Sequence, residues 1–185
     1  MAKVHPQIDD AMAAWIHAQP IYFVASAPLA ANGHINLSPR GLDTLRVLGP
    51  HQVAFLDLTG SGNETAAHLL ENSRITIMLC AFEGDPQILR FYGRGETVLS
   101  GDARWTELRS HFPDSFQLVR QIIVVEVERI QTSCGYGVPL MAFQEQRSHL
   151  LDWSDKKGEQ GILDYQQKNN LHSIDGLPTP LLKED

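Results

Sequence analysis

The segment that decides the fold is Asp57-Leu58-Thr59-Gly60-Ser61-Gly62-Asn63-Glu64-Thr65, because it joins two different apolar patterns. Residues 52–58 (QVAFLDL) have the composition of a β-strand, and residues 66–70 (AAHLL) place apolar side chains on one face of a helix. Ser61 and Glu64 have the spacing of a capping box, in which both side chains bond to amides of the first helical turn. The sequence therefore predicts a strand, a glycine-rich loop and a helix in succession.

The glycine-rich loop has a geometry that suits a phosphate group. Backbone N–H groups converge at a helix N-terminus, where the helix dipole favours an anion, and glycines let the anion approach the main chain. A tight turn without a ligand explains the same pattern. Two better-known phosphate motifs do not fit, because the loop lacks the P-loop lysine and has Thr65 where the dinucleotide fingerprint has its third glycine.

Outward from this loop, strand-like segments follow one another with few helices between them. Amphipathic helices are predicted at residues 7–19 and 103–112. Two short outer helices are predicted within residues 144–170, and residues 177–185 are predicted to be a tail. Strands are predicted at residues 21–26, 34–37, 52–58, 75–82, 87–99 and 121–132, and a turn at residues 38–41. Consecutive strands without crossover helices favour an antiparallel barrel over a parallel sheet.

The composition limits the classes of function. With 185 residues the chain is long enough for one well-cored domain, and its formal charge of −7 gives no support for binding to nucleic acid or to an anionic membrane. There is no long apolar run and no signal-peptide pattern, so we expect a cytoplasmic protein. Two cysteines and eight scattered histidines provide neither a disulfide scaffold nor metal-ligand spacing, so no metal site is predicted.

Five ordered motifs resemble the FMN-binding proteins related to pyridoxamine 5′-phosphate oxidase. They are residues 36–41 (NLSPRG), 57–65 (DLTGSGNET), 71–74 (ENSR), 88–93 (ILRFYG) and 133–139 (SCGYGVP). The resemblance implies a mainly β (α+β) fold, a six-stranded antiparallel split β-barrel with flanking helices, formed by residues 1–143. Residues 144–185 would then be a helical extension packed on the barrel or on a partner subunit. The resemblance also implies a homodimer with FMN at the subunit interface.

In that family the FMN phosphate is held by the second strand and by the start of the helix after the third strand. These regions correspond here to residues 36–41 and 60–65. The cofactor-binding residues expected on this basis are Asn36, Ser38, Pro39, Arg40, Gly41, Thr59, Gly60, Ser61, Asn63, Thr65, Arg90 and Tyr136.

One departure from the family pattern changes the expected phosphate contacts. The true oxidases carry an Arg-Lys pair at the helix start, where this chain has Glu64-Thr65. Arg40 is therefore the expected charged partner of the phosphate, with hydroxyl groups and loop amides as neutral donors, and Glu64 is assigned to helix capping. The residues alone also allow Arg40 and Arg90 to be solvent-facing and Tyr136 to be a packed core tyrosine.

The resemblance implies an FMN-dependent oxidoreductase whose substrate the sequence does not identify. The flavin ring would carry the redox chemistry, so no catalytic side chain is assigned, and a donor such as NAD(P)H is compatible with this role. The alternatives are a non-catalytic flavin-binding or sensor protein, and a related barrel that uses a deazaflavin or haem. We do not expect this chain to oxidise pyridoxamine phosphate, because it lacks the Arg-Lys pair of the true oxidases.

Overall fold

One antiparallel sheet forms the centre of the protein in the computed structural model, which describes residues 2–116 and 118–182. Its strands are β1 (Lys3–His5), β2 (Tyr22–Ser26), β3 (Asn36–Arg40), β4 (Leu45–Gly49), β5 (Gln52–Leu58), β6 (Arg74–Cys80), β7 (Gln87–Val98) and β8 (Val119–Cys134). The helices are α1 (Asp10–His17), α2 (Glu64–Asn72), α3 (Trp105–Arg109) and α4 (His149–Asn169). The antiparallel sheet that was predicted from consecutive strands without crossover helices is therefore confirmed.

The sheet contains more strands than predicted. Its order is β3-β2-β6-β7-β8-β5-β4, with β1 paired to the second half of β8, so the described strands number eight rather than six. Within the described residues no ladder joins β3 to β4, the two ends of this order, so the sheet is not closed. The short strands β1 and β4 were missed because segments of three and five residues give little periodic signal.

The turn predicted at residues 38–41 is wrong, because three of these residues belong to β3. Residues 36–40 pair with β2 over the whole strand, from Asn36 opposite Ser26 to Arg40 opposite Tyr22. Pro39 is tolerated there because β3 is an edge strand, where a missing N–H leaves no ladder bond unmade. The chain turns after it instead, through Leu42 and Asp43, both with positive φ.

Two apolar clusters cover opposite faces of the sheet. Helix α1 packs Met12 and Ile16 against one face, in a cluster that includes Phe55 and Phe91. Helix α3 and the residues after it cover the other face, where Leu108 belongs to the second cluster. Strand β5 contributes to both clusters and is therefore buried along most of its length. Any polar residue in β5 must find its partners inside the protein.

The region after β8 returns to the sheet. Two helical segments were predicted at residues 144–170, and α4 indeed consists of two segments that meet at Gly158, whose φ of 66° and ψ of 174° are not helical. The predicted tail is wrong for residues 177–182, since Thr179 is buried and Pro178 bridges back to His172; residues 183–185 lie outside the described residues.

The helix predicted at residues 103–112 is shorter in the structure, where α3 spans Trp105–Arg109. None of the helices in the described part of the chain has the length and apolar character that a membrane crossing requires.

Candidate cofactor cleft

A cleft of about 460 Å³ lies between β3, the loop before α2 and the start of β8. It brings together nine of the twelve predicted cofactor-binding residues: Asn36, Ser38, Pro39, Arg40, Gly41, Gly60, Ser61, Asn63 and Thr65. These residues come from two segments separated by about twenty positions, and β3 and β5 belong to opposite ends of the sheet order. The resemblance therefore selected residues that share one concave surface.

Three predicted residues lie outside this cleft. Thr59 is buried beneath it, and its hydroxyl accepts a hydrogen bond of 2.7 Å from Gln166. Arg90 lies in the middle of β7 and donates to the Ser133 hydroxyl on the neighbouring strand at 3.1 Å. Tyr136 follows β8 and is 83% exposed, which rules out the packed core tyrosine among the alternatives.

The loop before α2 lies at the cleft with its backbone donors unused. In the described part of the chain, none of the backbone amides of residues 60–66 donates a hydrogen bond to another protein group. The first amide that does is that of Ala67, which donates to the Asn63 carbonyl at 3.2 Å and begins the regular helix ladder. A row of free amides at a helix N-terminus favours an anion through both hydrogen bonding and the helix dipole.

The predicted capping box is wrong, and this explains why the amides stay free. The N-cap of α2 is Asn63, which makes no side-chain capping bond. Its amide side chain is instead drawn inward, accepting from Gln121 at 2.7 Å and donating to the Asn170 carbonyl at 3.2 Å. The Glu64 carboxylate accepts from the Ile174 amide at 3.1 Å. Tertiary contacts have therefore taken both side chains that could have satisfied the first turn.

A buried ion cluster forms the floor of the cleft. Asp57, at the end of β5, accepts hydrogen bonds from Arg120 Nε and Nη2 at 3.0 and 2.8 Å, and Arg40 Nη1 pairs with its other oxygen. Gln121 Nε2 donates to the same carboxylate at 2.5 Å. Burial by itself would raise the pKa of Asp57, but the guanidinium groups of Arg120 and Arg40 lower it below its usual value. Two guanidinium cations share one carboxylate, so the cluster keeps one net positive charge.

Arg40 keeps donors that the protein does not use. Its Nη1 is paired with Asp57, whereas its buried Nε and its Nη2, which is not buried, make no hydrogen bond within the described residues. The side chain is 19% exposed where it lines the cleft, and its guanidinium lies 5.6 Å from the centre of the Phe55 ring. The alternative of a solvent-facing turn residue is therefore wrong for Arg40, which can hold a ligand anion from one side while Asp57 fixes it from the other.

Arg120 is a residue of the cleft that the sequence analysis missed. It is buried, and besides Asp57 it holds the Gly62 carbonyl and the Asn170 side chain through Nη1, both at 2.9 Å. A signal was present, because β5 and β8 pair with Asp57 opposite Gln121, so polar residues at these two strand ends must meet. Since its donors are largely taken, Arg120 serves the cleft mainly through its charge and its hold on the loop.

A chain of polar side chains leads from the cleft into the protein. The Ser38 hydroxyl donates to Asn36 Oδ1 at 2.8 Å, and Asn36 Nδ2 donates to Thr65 Oγ1 at 3.1 Å. Ser26 Oγ, 3.4 Å from the same Asn36 nitrogen, lies 2.9 Å from Nδ1 of His68, which is fully buried. Burial lowers the pKa of His68, so this histidine is neutral at pH 7. The chain fixes the orientation of the side chains that face the cleft.

The C-terminal region contributes to the cleft as well. Leu150, in the first turn of α4, lines it together with Leu42, Leu56 and Leu58. The cleft therefore has a polar part, formed by β3, the loop and Arg120, and an apolar part formed by leucines.

Comparison with known proteins identifies the family to which this chain is similar. Residues 8–134 match the sequence model of the family described as pyridoxamine 5′-phosphate oxidase. A relative, the pyridoxamine 5′-phosphate oxidase family protein ustO of Aspergillus flavus, is 33% identical over 196 residues, which cover 96% of this chain and 78% of that protein.

Solved structures share the fold at lower identity. A HupZ structure from Group A Streptococcus has a TM-score of 0.54 at 20% identity and covers 68% of this chain and 99% of that chain. A protein from Lactobacillus delbrueckii has a TM-score of 0.52 at 14% identity and covers 69% of this chain and 98% of that chain. HutZ of Vibrio cholerae, described as a haem storage protein, has a TM-score of 0.50 at 14% identity, covering 70% and 98%. The family match spans more than half of the sequence, and this chain belongs to the pyridoxamine 5′-phosphate oxidase family.

Proposed function

We propose that this protein binds FMN in the cleft and acts as an FMN-dependent oxidoreductase whose substrate is not pyridoxamine phosphate. The observation that carries the proposal is the row of free amides at residues 60–66 beside Arg40 Nη2, which makes no hydrogen bond within the described residues. Both are arranged around one cleft, and both favour a ligand that carries a phosphate. Family membership supports the same cofactor, since FMN is the cofactor that the family resemblance implies.

The two parts of the cleft suit the two parts of FMN. The phosphate would lie against the loop amides and Arg40, and the Thr65 hydroxyl, whose oxygen accepts from Asn36, would supply a neutral donor. The Ser38 proton is already donated to Asn36. Glu64 lies near this position, and its carboxylate is engaged with the Ile174 amide. The leucine-lined part would contact an apolar portion of the ligand.

When bound, FMN supplies the hydride or electron transfer, and the protein supplies position and electrostatics. Arg40 and the loop amides hold the anionic end, and the net positive charge of the Arg40–Asp57–Arg120 cluster offsets the charge of the phosphate. The polar chain from Ser38 to His68 keeps Asn36, Ser38 and Thr65 oriented at the cleft. No side chain is assigned as a general acid or base.

We further propose a homodimer with the flavin at the subunit interface. Arg90 and Tyr136 lie outside the cleft of a single chain, so a contact of either residue with the flavin requires a second copy. Light scattering after gel filtration measures the assembly directly. A monomer that binds FMN with full affinity would contradict the interface and leave the cleft intact.

The test of the cofactor is the absorbance spectrum of the purified protein, followed by titration of the apoprotein with FMN, FAD and riboflavin. We expect a flavin spectrum and a clear preference for FMN over riboflavin, because the phosphate carries the proposed contacts. A haem spectrum, or an apoprotein that binds no flavin, would overturn the proposal.

Substitution of Arg40 tests the phosphate contact. We expect Arg40→Ala to weaken FMN binding by about 1.5–3 kcal/mol, the range for hydrogen bonds to charged groups, and to leave riboflavin binding almost unchanged. Arg46→Ala is the matched control, since Arg46 also stacks on a phenylalanine and pairs with an aspartate but lies outside the cleft. Equal FMN affinity in the two variants would remove Arg40 from the site.

Turnover separates the enzyme from a non-catalytic flavoprotein or sensor. We expect the FMN-loaded protein to consume NAD(P)H or to reduce an acceptor in a broad screen. If the loaded protein turned over neither donors nor acceptors, flavin storage or sensing would be the better proposal.

A further inference from the structure

We infer that Asn170 is a positioning residue for the phosphate-binding loop, residues 59–63, so that the cofactor site depends on a segment outside the family-matched region. The match covers residues 8–134, and Asn170 lies 36 positions beyond it, at the C-terminal end of α4. This inference rests on the proposed function. It assigns part of the FMN affinity to a side chain that is not expected to touch FMN.

Asn170 is fully buried, and both its backbone and its side chain form hydrogen bonds with other residues. Its side-chain Nδ2 donates to the Gly60 carbonyl at 3.1 Å, and its Oδ1 accepts from Arg120 Nη1 at 2.9 Å. Its backbone carbonyl accepts from Asn63 Nδ2 at 3.2 Å and from the Thr179 hydroxyl at 2.8 Å. The residue therefore contacts the loop at two points, and each contact is made by a different group.

These bonds form a closed ring around the loop. Arg120 Nη1 donates to the Gly62 carbonyl and to Asn170 Oδ1, both at 2.9 Å, while Asn170 also holds the Gly60 carbonyl. The two glycine carbonyls are thus fixed by protein donors. The amides of the same segment have no protein partner in the described part of the chain, which leaves them for a ligand.

The loop needs such an external anchor because its own residues provide little restraint. A Cβ added at Gly60 would meet nothing within 4 Å, so this position is not held by packing. Glycine has the largest backbone freedom of any residue, and each ordered loop residue carries an entropic cost. Ser61 is exposed, and the side chain of Asn63 is held by Gln121 and by the backbone carbonyl of Asn170. Loss of the Asn170 side chain would release the loop at Gly60 and would remove one of the two acceptors of Arg120 Nη1, while the backbone carbonyl of residue 170 would still accept from Asn63.

A neighbouring contact extends the same anchor. Gln166, one turn earlier on α4, donates to the Thr59 hydroxyl at 2.7 Å, just before the loop. Thr179 holds Asn170 from the other side. The segment from Gln166 to Thr179 therefore supports the loop through buried residues rather than lying on the surface as an appendage.

The test compares Asn170→Ala with Asn169→Ala as the matched control. Asn169 is the exposed neighbour on the same helix end, and among the described residues its side chain bonds only to the Tyr165 carbonyl within α4. Dissociation constants for FMN and riboflavin are measured for both variants by flavin fluorescence. We expect Asn170→Ala to weaken FMN binding about tenfold or more and riboflavin binding less than about twofold, so that the preference for the phosphate collapses.

A merely structural role for Asn170 gives a different pattern. General destabilisation would weaken FMN and riboflavin equally and would leave their ratio as in the wild type. That result, or an unchanged FMN affinity in a folded Asn170→Ala variant, would overturn the inference. Asn170→Asp is the second variant for the case in which alanine prevents folding, because Asp keeps the acceptor for Arg120 and removes the donor to Gly60.

A second measurement separates this inference from the FMN proposal. Inorganic phosphate is titrated into ¹⁵N-labelled apoprotein, and the amide shifts of residues 60–66 are followed by NMR. We expect phosphate to shift these amides in the wild type and in Asn169→Ala but not in Asn170→Ala. If the wild type responds to phosphate and binds no flavin, the proposed function fails and the positioning role stands. If phosphate shifts the amides equally in all three proteins, the positioning role is wrong, and no response in the wild type would remove the anion site itself.

Discussion

The Asp57→Asn substitution isolates the charge of the buried cluster at almost constant shape. Asp57 is nearly inaccessible to solvent, and it is the only carboxylate that the described contacts place between Arg40 and Arg120. Removal of one partner of a buried ion pair typically costs about 3–5 kcal/mol, because it leaves an uncompensated buried charge. For a domain of this size each kcal/mol shifts Tm by about 2–4 °C, so we expect a loss of roughly 6–20 °C.

The matched control is Asp43→Asn, which removes a carboxylate paired with Arg46 at 2.8 Å. Asp43 is 65% exposed, and exposed ion pairs contribute about 0–1 kcal/mol, so we expect a shift below about 4 °C. Asn also tolerates the positive φ of 54° at this position. Thermal unfolding followed by circular dichroism gives both values. If the two substitutions lowered Tm equally, or if Asp57→Asn shifted Tm by less than about 4 °C, the buried charge balance would not stabilise the fold as described.

The pH dependence of the same difference provides an independent check. The pKa of Asp57 is lower in the folded protein than in the unfolded chain, so its contribution to stability is present above the unfolded pKa of about 3.9. The contribution is lost as the pH falls through the folded value. The Tm difference between wild type and Asp57→Asn should therefore be constant near neutral pH and shrink under acid conditions. A difference that grew on acidification would contradict the assigned pairing.

Two further predictions follow from local geometry. A Cβ at Gly93 would lie 2.1 Å from the Glu126 carbonyl oxygen, so Gly93→Ala should destabilise the protein by about 1–3 kcal/mol in urea unfolding, whereas Gly101→Ala, with nothing within 4 Å, should not. The hydrogen bond from His34 to Asp175 raises the pKa of His34, so the stability that this pair provides is present below about pH 6.5 and is lost as the pH rises through the folded value. An NMR titration should show a raised His34 pKa that falls back in Asp175→Asn; the same titration curve in both proteins would refute the pairing.

Local patterns predicted the elements whose contacts are themselves local. The strand predicted at residues 121–132 alternates in its sequence, since apolar Val125, Val127 and Ile130 are buried and Glu126 and Glu128 between them are exposed. The strands predicted at residues 75–82 and 87–99 correspond to β6 and β7, which pair with each other. In these elements the side-chain periodicity and the tertiary environment favour the same structure.

The cleft was predicted only in part, because its polar contacts join distant positions. Resemblance found β3 and the loop, but Arg120 meets Asp57 across 63 positions and Asn170 meets Gly60 across 110. The periodicity of apolar residues along the sequence cannot predict contacts between polar residues so far apart. The capping box failed for the same reason, since Glu64 met the Ile174 amide and Asn63 met Gln121, and these partners displaced the local bonds that the spacing allows.

The distance along the chain between the loop and its anchor has a consequence for biosynthesis. The loop is synthesised about a hundred residues before Asn170, and long-range contacts of this kind form late and slowly in folding. A nascent chain that has reached residue 134 holds all the described strands of the sheet, with Arg120 and Gln121, but lacks the support that Gln166 and Asn170 give to the loop. We therefore expect the cofactor to be acquired after translation has passed Asn170, which makes flavin loading a late checkpoint in the maturation of this protein rather than a nucleus for its folding.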